Sequence, residues 1–492
     1  MKKHNLLKVI GISILIAVLL TWILPVTYFN SQLVEETRQR AGIFDVLSYA
    51  TVTISYFGNI CLYVLVVGGF YGVIHKIDAY RSLLDKIVKG FKGKENIFMI
   101  VVMVLFALIT SMTGLSVGIL FLFPFVISIL LLMGYNKVTA AMTTVGAVLV
   151  GLIGSTYSYA NTSQLSQVLK VEPTKEIITK FIILAVGLVI LAFNVLKYAK
   201  DHRDVKNIST DPSYIPAEVK SSSVKKVTVK KTATKKASKK SDTKITSKSK
   251  VRVWPLVVVF DLILLIMILS TIAWMHTFKL DIFSKATEAF LGFKIKEFKL
   301  FGSIFGNVAA FGDWSINELL ITVFISSAII ALIYRVKFND YLDNFIDGAK
   351  RAIKPAVFVA LIYMVLVVVT YHPVLLTILK PILGKSSTLN VFTMSLVAFI
   401  SSVFNVEITY SVTAALPYVK SLITESTAYP LIAVIWQSMY GLAMLVAPTS
   451  VILMVTLSFM HISYGEWLKS VWKLFVELLV ALLIIFTIII LI

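Results

Sequence analysis

Residues 404–417 read FNVEITYSVTAALP, and they interrupt the otherwise apolar stretch from Val391 to Ser450. Asn405, Glu407, Thr409, Ser411 and Thr413 therefore fall where hydrocarbon should lie, and a second apolar run ends in APTS at 447–450. A carboxylate at the centre of a membrane helix costs roughly 2.5 to 3.5 kcal/mol on insertion scales, so it faces a cavity or a polar partner. Broken backbone at that depth is tolerated only where protein or water satisfies it. The stretch reads as a solute site.

The surrounding composition agrees. Of 492 residues 58% are hydrophobic and 15% charged, which is too apolar for a soluble enzyme and long enough for about ten crossings. The formal charge of +21 is concentrated in polar segments between apolar runs, as the positive-inside rule expects, and gives no reason to infer a nucleic-acid partner. Cys61 is the single cysteine, so neither a disulfide framework nor a cysteine metal site is available. The Lys2-Lys3 start followed by apolar Leu6 to Leu24 imitates a signal peptide but lacks a small-residue cleavage pattern, and reads as a first span.

Two overlong runs fall before the middle of the chain. Ile97 to Met133 would make a helix of roughly 55 Å against a hydrocarbon core of about 30 Å. Its centre, TSMTG at 110–114, suits a turn, so a re-entrant hairpin at about 97–133 is expected. The next run carries GLIGSTYSYANT at 151–162 and reads as a broken helix at about 138–170. Residues 391–423 and 428–461 repeat this pair in the second half. Asp78 to Gly93 has the pattern of a cationic interfacial helix. Arg335 to Arg351 is expected to repeat it, with Ala356 to Thr370 as a separate span.

Three regions result: a first membrane half over 1–199, a Lys/Ser/Thr-rich linker over 200–252 with no apolar period, and a second membrane half over 253–492. Crossing parity puts the N-terminus and the linker in the cytoplasm and the C-terminus outside. The fold class is an all-α polytopic membrane protein whose halves form an inverted-repeat transporter with two re-entrant hairpins and two broken helices.

Enzymatic readings are weak. GLSVG at 114–118 matches a nucleophile elbow formally, but it lies in a membrane run, and His75, His276, His372 and His461 fall near span ends. There is no phosphate-binding loop, so nucleotide hydrolysis is not expected, and no catalytic residue or cofactor is assigned. An intramembrane hydrolase and a non-transporting scaffold are the competing classes. Asp261, Glu318 and Glu477 read as structural carboxylates.

The expected solute site comprises Ser111, Thr113 and Ser116 at the first tip, and Asn405, Glu407, Thr409 and Ser411 at the second. Ser155, Asn161 and Thr162 join them from the first break, with Thr449 and Ser450 from the second. Free backbone groups at such breaks suit a carboxylate or a Na⁺, the latter near Asn161 and Thr449. The coupling ion would be Na⁺ or H⁺. The expected partners are a small solute, the lipid bilayer of the cell membrane and, for the assembly, a homodimer.

Four separated blocks carry a family resemblance: VGGFYGVIHK at 67–76, FGDWSINELL at 311–320, IYRVKFNDYLDNFIDGAKRAIKP at 333–355 and APTSVILMVTLSFMHISYGEWLK at 447–469. They resemble the C4-dicarboxylate anaerobic carrier family, especially its YfcC-type members. The resemblance implies an ion-transporter-superfamily fold and secondary transport of dicarboxylates or, in some members, arginine/ornithine exchange. The sequence departs from the family at the tips, with VEITYSV at 406–412 in place of a Pro-, Ser- and Gly-rich tip, Val117 and Gly118 in place of acidic residues, and Asn161-Thr162 in place of Asn-Pro. The expected activity is secondary transport of a small amino acid or carboxylate. Glu407 tilts the expectation towards basic amino acid exchange, with a C4-dicarboxylate carrier as the alternative.

Overall fold

A computed structural model describes residues 5–203, 252–384 and 387–491. Helices dominate, and two short antiparallel ribbons, Val26–Asn30 with Gln32–Glu36 and Lys294–Ile295 with Phe298–Lys299, are the strands among these residues. In chain order the first half is α1 Asn5–Ile23, α2 Ile43–Ile74, α3 Asp78–Gly90, α4 Glu95–Thr113, α5 Gly118–Leu132, α6 Lys137–Ile153, α7 Tyr159–Leu169 and α8 Ile177–Asp201. After the linker come α9 Trp254–Thr271, α10 Ile316–Ile333, α11 Phe338–Tyr371, α12 Leu375–Leu383, α13 Val391–Phe404, α14 Ile408–Leu422, α15 Tyr429–Met444, α16 Val451–Met460 and α17 Tyr464–Leu491. Short helices also occur within 274–305, on either side of the second ribbon.

Eight of these helices are long and apolar enough to cross a bilayer: α1, α2, α4, α8, α9, α10, α11 and α17. Helices α1, α8, α9, α10 and α17 leave much of their apolar surface exposed, with Leu15, Ile182, Leu262, Ile325 and Ile484 among the outward side chains, as lipid contact requires. Helices α2 and α11 are mostly buried and form the central crossing. Lipid removes the hydrophobic drive for helices to associate, so close approach of backbones supplies it instead. Here Gly68 and Gly72 lie directly against Gly348, where a Cβ on any of the three would collide with the facing backbone.

Both overlong pairs are hairpins. The guanidinium of Arg203, just beyond α8, donates to Glu95 Oε1 at 2.9 Å and to the Met133 carbonyl at 3.3 Å. The start of α4 and the end of α5 therefore meet at one point. The second hairpin, α13 and α14, rests both its arms on α12. Lys420, in the last turn of α14, donates to the carbonyl of Val168 near the end of α7. Arg203 and Val168 flank opposite ends of α8, a helix of 25 residues and so about 37 Å. The hairpins open at opposite ends of that helix.

One expectation needs correction. Residues 335–371 do not divide at Pro355 into an interfacial helix and a span, because α11 runs unbroken for 34 residues with the proline inside it. The turns on either side of Pro355 are held by tertiary packing, Gly348 and Ala352 against Gly68 on one side and Tyr363 against Phe57 on the other. Helix α2 starts at Ile43, and Asp45 caps it by accepting from the Gly42 N–H. The polar segment after α1 forms a ribbon, tied by the Thr27 N–H to the Pro373 carbonyl at 2.9 Å. Of the linker expected at 200–252, residues 204–251 lie outside the described residues.

Candidate functional site

Gly114 ends α4 in the left-handed conformation, at φ 76°, and a Cβ there would strike the Ser158 hydroxyl. The first hairpin tip thus sits on the first break. Ser158 caps α7 by accepting from the Asn161 N–H at 3.3 Å, and Asn161 Nδ2 donates to Ser155 Oγ at 3.3 Å. Breaking a helix at membrane depth leaves carbonyls without partners. Here three carbonyls at the break are taken: Ile153 by Ser438 Oγ at 2.9 Å, Gly154 by Ser111 Oγ at 2.7 Å, and Ser155 by Gln437 Nε2 at 2.7 Å. Two of those donors come from α15, in the other half of the chain.

The second half repeats the solution with different residues. Asn405 Nδ2 donates back to the Ser401 carbonyl at 2.7 Å and closes α13. Tyr440 OH holds the Val406 carbonyl at 2.9 Å, and Thr449 Oγ1 holds the Val403 carbonyl at 2.6 Å, which joins the second tip to the second break. The carbonyls at the end of α15 are met by Trp467 Nε1, 2.9 Å from that of Leu445, and by the hydroxyl of Tyr464 on that of Val446.

Between the tips and the breaks lies a cavity of about 170 Å³. Ligand pockets of drug size start near 300 Å³, so this one suits a small solute. Its wall includes the first turns of three helices: Ala160 and Asn161 of α7, Ile408 and Thr409 of α14, and Val451 and Ile452 of α16. Neither α14 nor α16 has a side-chain cap among the described residues. Each helix N-terminus carries about half a positive charge together with unpaired N–H donors. Among the described residues no Lys, Arg or His lines the cavity. Its carboxylate is Glu407, whose Oε1 accepts from Tyr363 OH at 2.6 Å, and the Tyr363 ring stacks on Phe57 at 4.1 Å between centroids.

Of the residues expected from the sequence, Ser116, Asn161, Glu407, Thr409 and Ser450 line the cavity. Ser450 Oγ is buried with no hydrogen-bond partner among the described residues. The other seven stand behind the wall and bond protein groups. Ser111 holds Gly154 and Thr156, Thr113 bonds Ile109, Ser155 receives Asn161, and Thr162 bonds Ser158. Asn405 and Thr449 close the second tip, and Ser411 accepts from Trp436 Nε1 at 3.1 Å. Tyr363 and Tyr440 line the cavity and were not expected. Each is a tyrosine in an apolar run, where a buried hydroxyl must find a partner, and that need was the available signal.

A polytopic helical protein with paired hairpins and breaks around a small internal cavity has the build of a membrane carrier. The family model for the C4-dicarboxylate anaerobic carriers, DcuC, matches residues 5–492, and the chain belongs to that family. Among solved structures it is similar to the crystal structure of the Alcanivorax borkumensis YdaH transporter, described as having an unusual topology. That match has a TM-score of 0.44 and 12% identity and covers 99% of this chain and 98% of that one. No curated protein matches the chain.

Proposed function

We propose that this protein is a secondary carrier of small dicarboxylates, whose carboxylate groups are held at the cavity by the N-terminal turns of α7, α14 and α16. The observation that carries this reading is the meeting of three helix N-termini in a space of about 170 Å³ lined by the hydroxyls of Ser116, Thr409 and Ser450. Backbone N–H groups and helix ends bind anions without arginine or lysine. Family membership supports the same solute class and gives no support to arginine/ornithine exchange, towards which Glu407 alone had pointed.

In this reading the two halves are related by inversion, each contributing a hairpin and a broken helix. Hairpins that open at opposite ends of α8 would expose the cavity first to one side of the membrane and then to the other. The N-terminus and the linker face the cytoplasm, and transport draws on an ion gradient without nucleotide hydrolysis. Ser116 has no histidine or lysine beside it in the cavity wall among the described residues, which favours a carrier over a hydrolase.

The test is uptake into proteoliposomes containing the purified chain. Labelled succinate should accumulate saturably and be displaced by fumarate or malate while arginine leaves it untouched. Arginine–ornithine exchange without dicarboxylate uptake would overturn the reading.

A further inference from the structure

We propose that Glu407 is the proton-binding group of the cavity, protonated as the dicarboxylate enters and deprotonated as it leaves. The inference rests on the dicarboxylate reading above and deepens it by naming the coupling ion and its residue.

The reasoning starts from charge. Glu407 lines the same cavity as the three helix N-termini, so an entering dianion meets a carboxylate across a few ångströms. Among the described residues no Lys, Arg or His lines that cavity, and Glu407 has no salt-bridge partner. The titratable groups facing it are tyrosines: Tyr363 from α11, Tyr440 from α15 and Tyr410 on its own helix. The residues contributed by the first half, Ser116 and Asn161 among them, are neutral. An anion and an ionised Glu407 therefore compete for the same positive helix ends. Neutralising Glu407 removes the competition.

Protonation also changes what Glu407 offers. Ionised, it is an acceptor only; protonated, it has one O–H to donate and still accepts at its other oxygen. It can thus keep the Tyr363 hydrogen bond and present a donor to the solute carboxylate. The step balances simply: a carboxylate lone pair takes a proton from hydronium on the entry side, one O–H bond forming as the hydronium O–H breaks and leaves water, and on the exit side that bond breaks and its proton passes to water as hydronium. Tyr363 is a positioning residue, fixed by the stack on Phe57 and holding the carboxyl at the cavity wall.

The experiment is calorimetric titration of the purified full chain with succinate, from neutral to alkaline pH, where the carboxylates of the solute stay ionised, in buffers of different ionisation enthalpy. The wild type should take up one proton per succinate bound, and its Kd should rise about tenfold per pH unit on the alkaline side. Glu407→Gln should bind with no proton uptake and a flat pH profile. Binding by the wild type without proton uptake, or uptake that persists in Glu407→Gln, would overturn the proposal and leave the dicarboxylate reading standing. Absence of succinate binding at every pH would overturn both. Should the Gln variant not fold, Tyr363→Phe decides: a displaced profile midpoint with the proton count kept supports the proposal, and an unmoved midpoint overturns it.

Discussion

Gln437 donates through Nε2 to the carbonyl of Ser155 at 2.7 Å, so a side chain from one half of the chain caps the broken helix of the other. Both residues are buried, and a buried carbonyl stripped of its donor carries a desolvation penalty of about 1–3 kcal/mol. Gln437→Leu should therefore lower the thermal unfolding midpoint in detergent, while Gln437→Glu, which keeps the length but not the donor unless protonated, should do so most strongly at high pH. An unchanged midpoint in both variants would mean that the bond is dispensable.

Ser450 should behave differently. Its hydroxyl lines the cavity and has no protein partner among the described residues, so its loss removes no internal hydrogen bond. Ser450→Ala is expected to leave the unfolding midpoint unchanged and to raise the Kd for succinate about tenfold, the worth of one hydrogen bond to a charged ligand group at its low end. Thr449→Ala should show the reverse order of effects, since Thr449 Oγ1 binds the Val403 carbonyl at 2.6 Å. Thermal shift and binding on the same two preparations separate the roles.

The crossing of α2 and α11 is the packing point most sensitive to added volume. Gly72→Ala or Gly348→Ala should cost about 1–3 kcal/mol through forced separation of the helices. Gly90→Ala is the matched control, because open space surrounds that position. Equal effects at Gly72 and Gly90 would show that the crossing is not tight.

At the edge of the molecule, Asp281 and Lys285 pair at 2.7 Å at the start of the helix Ile282–Gly292. The hydrogen bond from Lys285 holds the Asp281 carboxyl below its usual range, and the same bond raises the Lys285 ammonium above its own. A depressed carboxylate contributes stability above its unfolded value and loses it as pH falls through the folded one. A raised lysine contributes below its unfolded value and loses it as pH rises through the folded one. Protection factors of residues 282–292, taken relative to the intrinsic exchange rate at each pH, should accordingly fall at both acid and alkaline extremes, and Lys285→Met should remove the part of both falls that comes from this pair.

Much of this architecture was legible because lipid restricts what a chain can do. A run too long for one span must turn, and only certain residues turn at depth, so TSMTG, NVE and APTS mark both tips and the second break in the sequence itself. Direction was harder to read. Asn405 and Glu407 are two residues apart, yet Asn405 folds back on Ser401 while Glu407 reaches the cavity. Polarity at depth shows that a partner is needed and does not say whether that partner is protein or solute. Pro355 misled for a related reason: proline forbids one backbone hydrogen bond, and the sequence does not show that Gly68 and Phe57 hold the helix together around it.

On the dicarboxylate reading proposed above, the cavity would draw its attraction for anions from peptide groups at three helix starts, and that shapes what genetics can see. Among substitutions only proline removes a backbone N–H, so on this reading an alanine scan would record gradual losses and not the abrupt knockout that a key arginine gives. Selectivity written into the main chain in this way would tolerate changes in the side chains around it.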